Sequence, residues 1–200
     1  MANDKDLLSR RVRRIFNDLV DLGLVKSDWN PFDFLRIDSG PIHYEICDNG
    51  CSGKVIPVPG PQDEGNAKAH LHITEHYRIG DIGKIIKYRY EICWGYYIDK
   101  KVEGDYVREL LLELKRGIRF DYHPETGGKD PKYHFHPNGC GDFRVETSEM
   151  EPKSVGLFAI YSFGDESNRD AVERNRTLSD SICEEFFRGT PPNKALQRNG

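Results

Sequence analysis

The feature that most limits what this chain can become is a succession of segments between residues 69 and 147 in which apolar and polar side chains alternate one by one. A period of two belongs to β-strands with one buried and one polar face, and it conflicts with the 3.6-residue period of a helix. Ala69–Arg78 and Lys84–Trp94 are two such runs, joined by the glycine-containing hairpin loop Ile79-Gly80-Asp81-Ile82-Gly83. Ile118–His123, Lys132–His136 and Phe143–Glu146 are three shorter runs, separated by Gly, Pro and Asn turns such as Asn138-Gly139. Between them, Tyr106-Val107, Leu110-Leu111 and Leu114 follow helical spacing and Gly117 ends the pattern. Residues 105–116 are therefore expected to be an amphipathic helix, with buried strand as the alternative.

The flanks read differently. In residues 1–25, Leu8, Val12, Ile15, Leu19 and Leu22 recur every three or four positions, widened by Phe16 and Val20. Asn3 or Asp4 caps this helix and Gly23 stops it. Arg10, Arg11, Arg13 and Arg14 occupy its remaining surface, either as a solvated face linked to Asp18 and Asp21 or as a phosphate-binding strip. Residues 28–68 are dense in Pro and Gly and read as irregular connection plus one strand, Ile42–Ile46. Val55–Asn66 reads as a mobile surface loop. From Pro152 the pattern is helical again, with Val155, Phe158, Ala159 and Ser162 on one face, and a last helix is expected from Ser167 to Arg188. Strands grouped between helices predict an α+β fold: an antiparallel sheet of about five to six strands, packed on one face by N- and C-terminal helices. The expected organisation is a single domain over 1–189 (helix 1–25, sheet region 69–147, helices 152–188) and a flexible tail over 190–200.

With 37% hydrophobic and 31% charged residues, the chain has material for one core. No stretch approaches the roughly 18–20 apolar residues that span a bilayer, so no membrane partner is expected. The charged N-terminal segment lacks a secretory h-region, and five irregularly spaced cysteines suit a reducing cytoplasm. A net charge of −4 excludes a globally basic nucleic-acid binder but not a local basic patch.

Splitting each strand by parity places every histidine on its polar side. His43 and Glu45 oppose Ile42, Tyr44 and Ile46; His70, His72, Thr74, His76 and Arg78 oppose Leu71, Ile73 and Tyr77. Lys87, Arg89 and Glu91 oppose Tyr88, Tyr90 and Ile92, while Arg119, Asp121 and His123 oppose Ile118, Phe120 and Tyr122. His134 and His136 oppose Tyr133 and Phe135, and Arg144 opposes Phe143 and Val145. Such a face has the parts for proton transfer and anion binding, because imidazole titrates near neutrality and guanidinium stabilises phosphoryl charge. His123, His134 and His136, beside the Pro124 and Pro137 turns, are the expected catalytic imidazoles, with Arg119 and Arg144. His70, His72, His76, Lys87 and Arg89 are the expected substrate-binding residues. The alternative is an ordinary solvent face of a one-sided sheet.

No metal is required by this reading. His70-x-His72 and His134-x-His136 each put two imidazoles on one side of a strand, and Glu45, Asp121 or His123 are available third ligands. Zinc held by Cys47, Cys51, His70 and His72 is the alternative cofactor expectation; Cys93, Cys140 and Cys183 stand alone. Phosphate-binding glycine loops and the G-x-S-x-G nucleophile motif are absent.

Ile118-Arg119-Phe120-Asp121-Tyr122-His123-Pro124, then Pro131-Lys132-Tyr133-His134-Phe135-His136 and Asp142-Phe143-Arg144-Val145-Glu146, resembles uncharacterised small bacterial proteins and the TumE-type toxins of toxin–antitoxin loci. That resemblance implies RNA as substrate and a cognate antitoxin as partner. The tail Pro191-Pro192-Asn193-Lys194-Ala195-Leu196-Gln197-Arg198 resembles read-through translations of integron gene-cassette recombination sites, which implies a mobile bacterial gene. The leading expectation is thus a cytoplasmic protein whose histidine-rich sheet face binds, and cleaves without metal, a phosphate-bearing ligand such as RNA. The alternatives are a protein-interaction module and a small-molecule-binding module walled by Trp94, Tyr96 and Tyr97.

Overall fold

The computed structural model describes residues 2–48, 56–59, 68–103, 105–124, 131–137 and 144–164. Helix α1 (Ala2–Asp21) buries Leu8, Val12, Ile15 and Leu19 completely, as the three–four spacing predicts. It stops at Gly23, whose φ of +70° is a left-handed conformation that side chains disfavour. There Gly23 N donates to Val20 O and Leu24 N to Leu19 O, both at 2.9 Å. A short 3₁₀ turn (Pro31–Asp33) follows, capped by Asn30, whose side chain accepts from Phe32 N.

Eight strands then form one antiparallel sheet: β1 (Leu35–Ser39), β2 (His43–Asp48), β3 (Ile56–Pro57), β4 (Lys68–Arg78), β5 (Asp81–Val102), β6 (Asp105–Tyr122), β7 (Tyr133–His136) and β8 (Val145–Glu146). The order is β1-β2-β4-β5-β6-β7-β8, with β3 also paired to β4. The α+β class stands, with more strands than five or six. The added ones, β1 and β3, come from the Pro/Gly-rich region: β3 is only two residues long and leaves no periodic signal, whereas Leu35-Arg36-Ile37-Asp38 of β1 does alternate. Ile56 in β3 and the neighbouring Val58 are buried, so the start of the Val55–Asn66 stretch is core, not surface loop.

The expected helix over 105–116 is strand. Residues 105–113 pair with 94–102 of β5, from Val102↔Asp105 to Trp94↔Glu113. A short Leu-rich run fits either period, and the available partner strand decides it. Gly117 ends no helix; it lies in β6 at the register break between the Ile92↔Ile118 and Trp94↔Glu113 pairs. A Cβ there would stand 2.4 Å from Ile92 O, so only glycine admits this approach. Beyond Gly95, among the described residues, β5 pairs only with β6, and the two strands form a two-stranded arm.

Helix α2 (Pro152–Phe163) packs beside α1, where a Cβ on Gly156 would meet Leu22 Cδ1 at 2.8 Å. Val155, Ala159 and Ile160 are buried and Ser162, expected on the inner face, is exposed. The helices cover the sheet face carrying Leu71, Ile73, Tyr88, Tyr90, Ile92 and Phe120. Arg11 departs from the solvated-face expectation. Its Nε and Nη2 donate at 3.0 and 2.6 Å to Glu75, a fully buried carboxylate on the core side of β4. Tyr77 and Tyr90 hydroxyls donate to the same carboxylate at 2.5 and 2.6 Å, so both its oxygens are satisfied inside the core. Asp18 and Asp21 face Lys153 of α2 instead. The expected helix Ser167–Arg188, the tail, the Asn138-Gly139 turn, Cys51, Cys140 and Cys183 lie outside the described residues. Among the described residues, no helix is long and apolar enough to cross a membrane.

Candidate functional site

Residues opposite one another in an antiparallel ladder share a face, so the strand pairing tests the parity argument directly. One row runs Glu45, His76, Lys87 across β2, β4 and β5. A second runs Cys47, Thr74, Arg89, Asp121, His134, Glu146 from β2 to β8. A third joins His72, Glu91, Arg119 and His136. The histidines do share one sheet face, the one turned away from α1 and α2. They do not form one open surface, because His70, His72, His134 and His136 are buried.

Three groups result. Lys87, Arg89, Arg119, Asp121, His123, His134, His136 and Arg144 line one cleft of about 280 Å³. Its centre is Asp121, whose Oδ2 accepts from Arg119 Nε at 2.9 Å and lies 3.4 Å from His136 Nε2 and 3.9 Å from His134 Nε2. Arg89 Nε stands 3.4 Å from Asp121 Oδ1, outside hydrogen-bond geometry, and Asp121 Oδ1 and His123 Nδ1 are buried atoms with no hydrogen-bond partner among the described residues. Pro131 O lies 2.7 Å from His134 Nδ1. A carbonyl only accepts, so Nδ1 carries a proton, and Nε2 is the ring nitrogen turned toward Asp121. His136 Nε2 meets Arg119 Nη2 at 3.0 Å; guanidinium only donates, so this nitrogen is an acceptor and the ring is neutral while that bond stands.

A second cavity of about 380 Å³, lined by Arg78, Lys84, Ile86, Tyr122 and Pro124 among others, shares Lys87 and His123 with the first. Its walls mix cations with apolar surface. The chain finds no match among protein-family models, curated proteins or solved structures.

His70 and His72, expected to bind substrate, line neither cavity. Burial pulls His70 down to about 4, reinforced by neighbouring His72 and Lys68. Burial opposes charge on His72 too, but Asp48, 2.9 Å from Nδ1, and the nearby Cys93 outweigh it and raise the ring to about 10. The pair is a buried ionic anchor for the end of β2. Cys47 accepts from Arg36 Nε at 3.2 Å, and burial pushes its thiol up to about 11. The groups that converge with metal-ligand geometry among the described residues are instead Asp121, His134, His136 and His43, Glu45, His76. In the first, Arg119 already supplies the positive charge between Asp121 and His136, which makes the cleft receptive to anions. Trp94 packs edge-on against Phe163 at 5.6 Å and Tyr97 is exposed, and Trp94, Tyr96 and Tyr97 line neither of the two cavities. Pro131, which orients His134, escaped the sequence reading because a backbone carbonyl leaves no residue-type signal.

Proposed function

We propose that this protein binds RNA in the arginine–histidine cleft and cleaves it by proton transfer between imidazoles, without a metal. The observation that carries the reading is charge: Lys87, Arg89, Arg119 and Arg144 line the cleft with one carboxylate, Asp121, and Glu91 and Glu146 stand on the adjoining ladder positions, in a chain whose net charge is −4. The two adjoining cavities together reach the size of ligand pockets, and the second offers Tyr122, Ile86 and Pro124 to a base or sugar beside the phosphate. The segment that resembles TumE-type toxins supplies Arg119, Asp121, His123, His134, His136 and Arg144.

In this reading His134 Nε2 takes the proton of a ribose 2′-hydroxyl. The 2′-oxygen attacks phosphorus, the bond to the 5′-oxygen breaks, and protonated His123 gives its proton to that leaving oxygen. The products are a 2′,3′-cyclic phosphate and a 5′-hydroxyl. Arg89 and Arg144 stabilise the equatorial oxygens, and His136 positions Arg119 by accepting from it. Incubation of the purified chain with labelled RNA, with and without chelator, tests the proposal. Chelator-resistant cleavage is expected, lost by about 10²–10⁴-fold in His134→Ala and His123→Ala. RNA with a single deoxyribose at the cut site is expected to bind and stay intact. Wild-type protein that neither cuts RNA nor retains polyanions overturns it.

A second reading rests on the β5–β6 arm, which exposes Tyr97, Val102, Tyr106, Val107 and Leu111. Tyr97 and Tyr106 share one face of this hairpin and Val102, Val107 and Leu111 the other, and the aromatic face offers a docking surface to a protein partner such as an antitoxin. Loss of a pulled-down complex on Tyr106→Lys, with RNA cleavage unchanged, separates the two readings.

A further inference from the structure

Outside the cleft, His43, Glu45 and His76 converge on the same sheet face. His43 and Glu45 are two residues apart on β2 and share its face, while His76 stands opposite Glu45 on β4. The three ligand atoms all lie within 4.8 Å of one another. Glu45 Oε2 is 3.6 Å from His76 Nδ1 and 4.0 Å from His43 Nε2, both longer than hydrogen bonds, so the carboxylate faces two imidazoles across a gap without bonding either. Gly40 backs the arrangement. A Cβ there would stand 3.1 Å from His43 Cε1 and 3.4 Å from Nδ1, so the absent side chain lets the ring lie against the backbone with Nε2 toward Glu45.

We propose that His43, Glu45 and His76 bind a divalent transition-metal ion of the zinc class. Two imidazoles and one carboxylate are the ligand set of three-residue zinc sites that keep a position open to water. Tetrahedral zinc with ligands at about 2.0–2.2 Å holds them about 3.3–3.5 Å apart, so the Glu45–His43 edge of 4.0 Å closes by roughly half an ångström and the His43–His76 edge, within 4.8 Å, by at most about 1.5 Å. The side chains are one-fifth to one-third exposed (32%, 32% and 21%), which leaves freedom for that closure and water for the remaining positions. Arg78 opposite His43 and Lys87 opposite His76 oppose a cation here, and Asp38 opposite Glu45 favours it. Among the described residues, no guanidinium hydrogen bond to the three ligands is formed, in contrast to Arg119 in the cleft.

The full chain, stripped with chelator and dialysed, is titrated with zinc chloride by calorimetry and with cobalt chloride by visible absorption. One ion per chain is expected, with cobalt bands of four- or five-coordinate geometry. Affinity is expected to fall at least about tenfold in His43→Ala and Glu45→Gln, and several-fold in Gly40→Ala, which keeps all three ligands but displaces one ring. Asp121→Asn is expected to bind as wild type does, and circular dichroism confirms that each variant is folded. No uptake by wild type overturns the proposal. So does uptake that survives both ligand substitutions, or that Asp121→Asn alone removes.

Discussion

Glu75 is the residue whose removal reports most directly on how this fold is locked. Its carboxylate is fully buried on the core side of β4 and accepts four hydrogen bonds, two from Arg11 and one each from Tyr77 and Tyr90. Burial works against the Arg11 charge, but the hydrogen bonds and Coulomb attraction of Glu75 overcome it and hold the guanidinium above its ordinary pKa. Charge centres about 4 Å apart at an effective dielectric constant near 20 attract by about 4 kcal/mol. Breaking such a pair from one side leaves the other charge buried, which costs about 3–5 kcal/mol. Glu75→Gln keeps the shape, keeps an acceptor for one tyrosine and strands Arg11, so a loss of about 3–4 kcal/mol is expected, or roughly 10 °C in Tm for a chain of this size. Arg11→Met alone strands the carboxylate and is expected to cost a similar amount. The double variant removes both charges and is expected to lose well under the sum of the singles, with a coupling of at least about 2 kcal/mol. Urea denaturation of the four proteins, followed by circular dichroism, measures the cycle. Additive losses, with a coupling below about 0.5 kcal/mol, refute the reading of Arg11–Glu75 as one buried unit.

Other consequences follow from the same geometry. Arg119→Met is expected to weaken binding of a single-stranded RNA and to lower the slope of log affinity against log salt by about one, read by fluorescence anisotropy; an unchanged slope removes Arg119 from the phosphate path. Gly117→Ala forces a methyl against Ile92 O and is expected to cost about 1–3 kcal/mol in chemical denaturation, whereas tolerance of alanine contradicts the close approach of β5 and β6. The His72 ring titrates near 10 in the fold against 6.5 as its ordinary value, so its ion pair with Asp48 stabilises fully below pH 6.5 and the benefit fades as pH rises through 10. The stability gap between wild type and Asp48→Asn is therefore expected to narrow from pH 6.5 to 10, and a gap that widens over this window contradicts the assignment. His70 has the opposite sign: buried neutral, titrating near 4, it favours unfolding as pH falls from 6.5 towards 4, and His70→Asn is expected to flatten that part of the stability curve.

Alternation with period two was enough to read β4, the first half of β5, the end of β6, and β7, and to put all seven histidines on one sheet face, because side-chain direction in a strand is a purely local property. The three–four spacing of α1 and its stop at Gly23 were local in the same sense. Residues 105–113 were not legible, since Leu-rich segments satisfy either period until a partner strand competes for their backbone groups. Arg11 and Glu75 could not be matched from sequence, because they are 64 positions apart and each reads as an ordinary exposed charge until the fold buries it. A carboxylate on the apolar parity between Ile73 and Tyr77 was the one local sign of it. Parity named the histidine face, but the order of strands divided it. Pairing of β6 with β7 brought Asp121, Arg119, His134 and His136 into one cleft, and pairing of β2 with β4 set His43, Glu45 and His76 apart from it. Which strands become neighbours is settled by how the whole core closes, and no stretch of sequence carries that information alone.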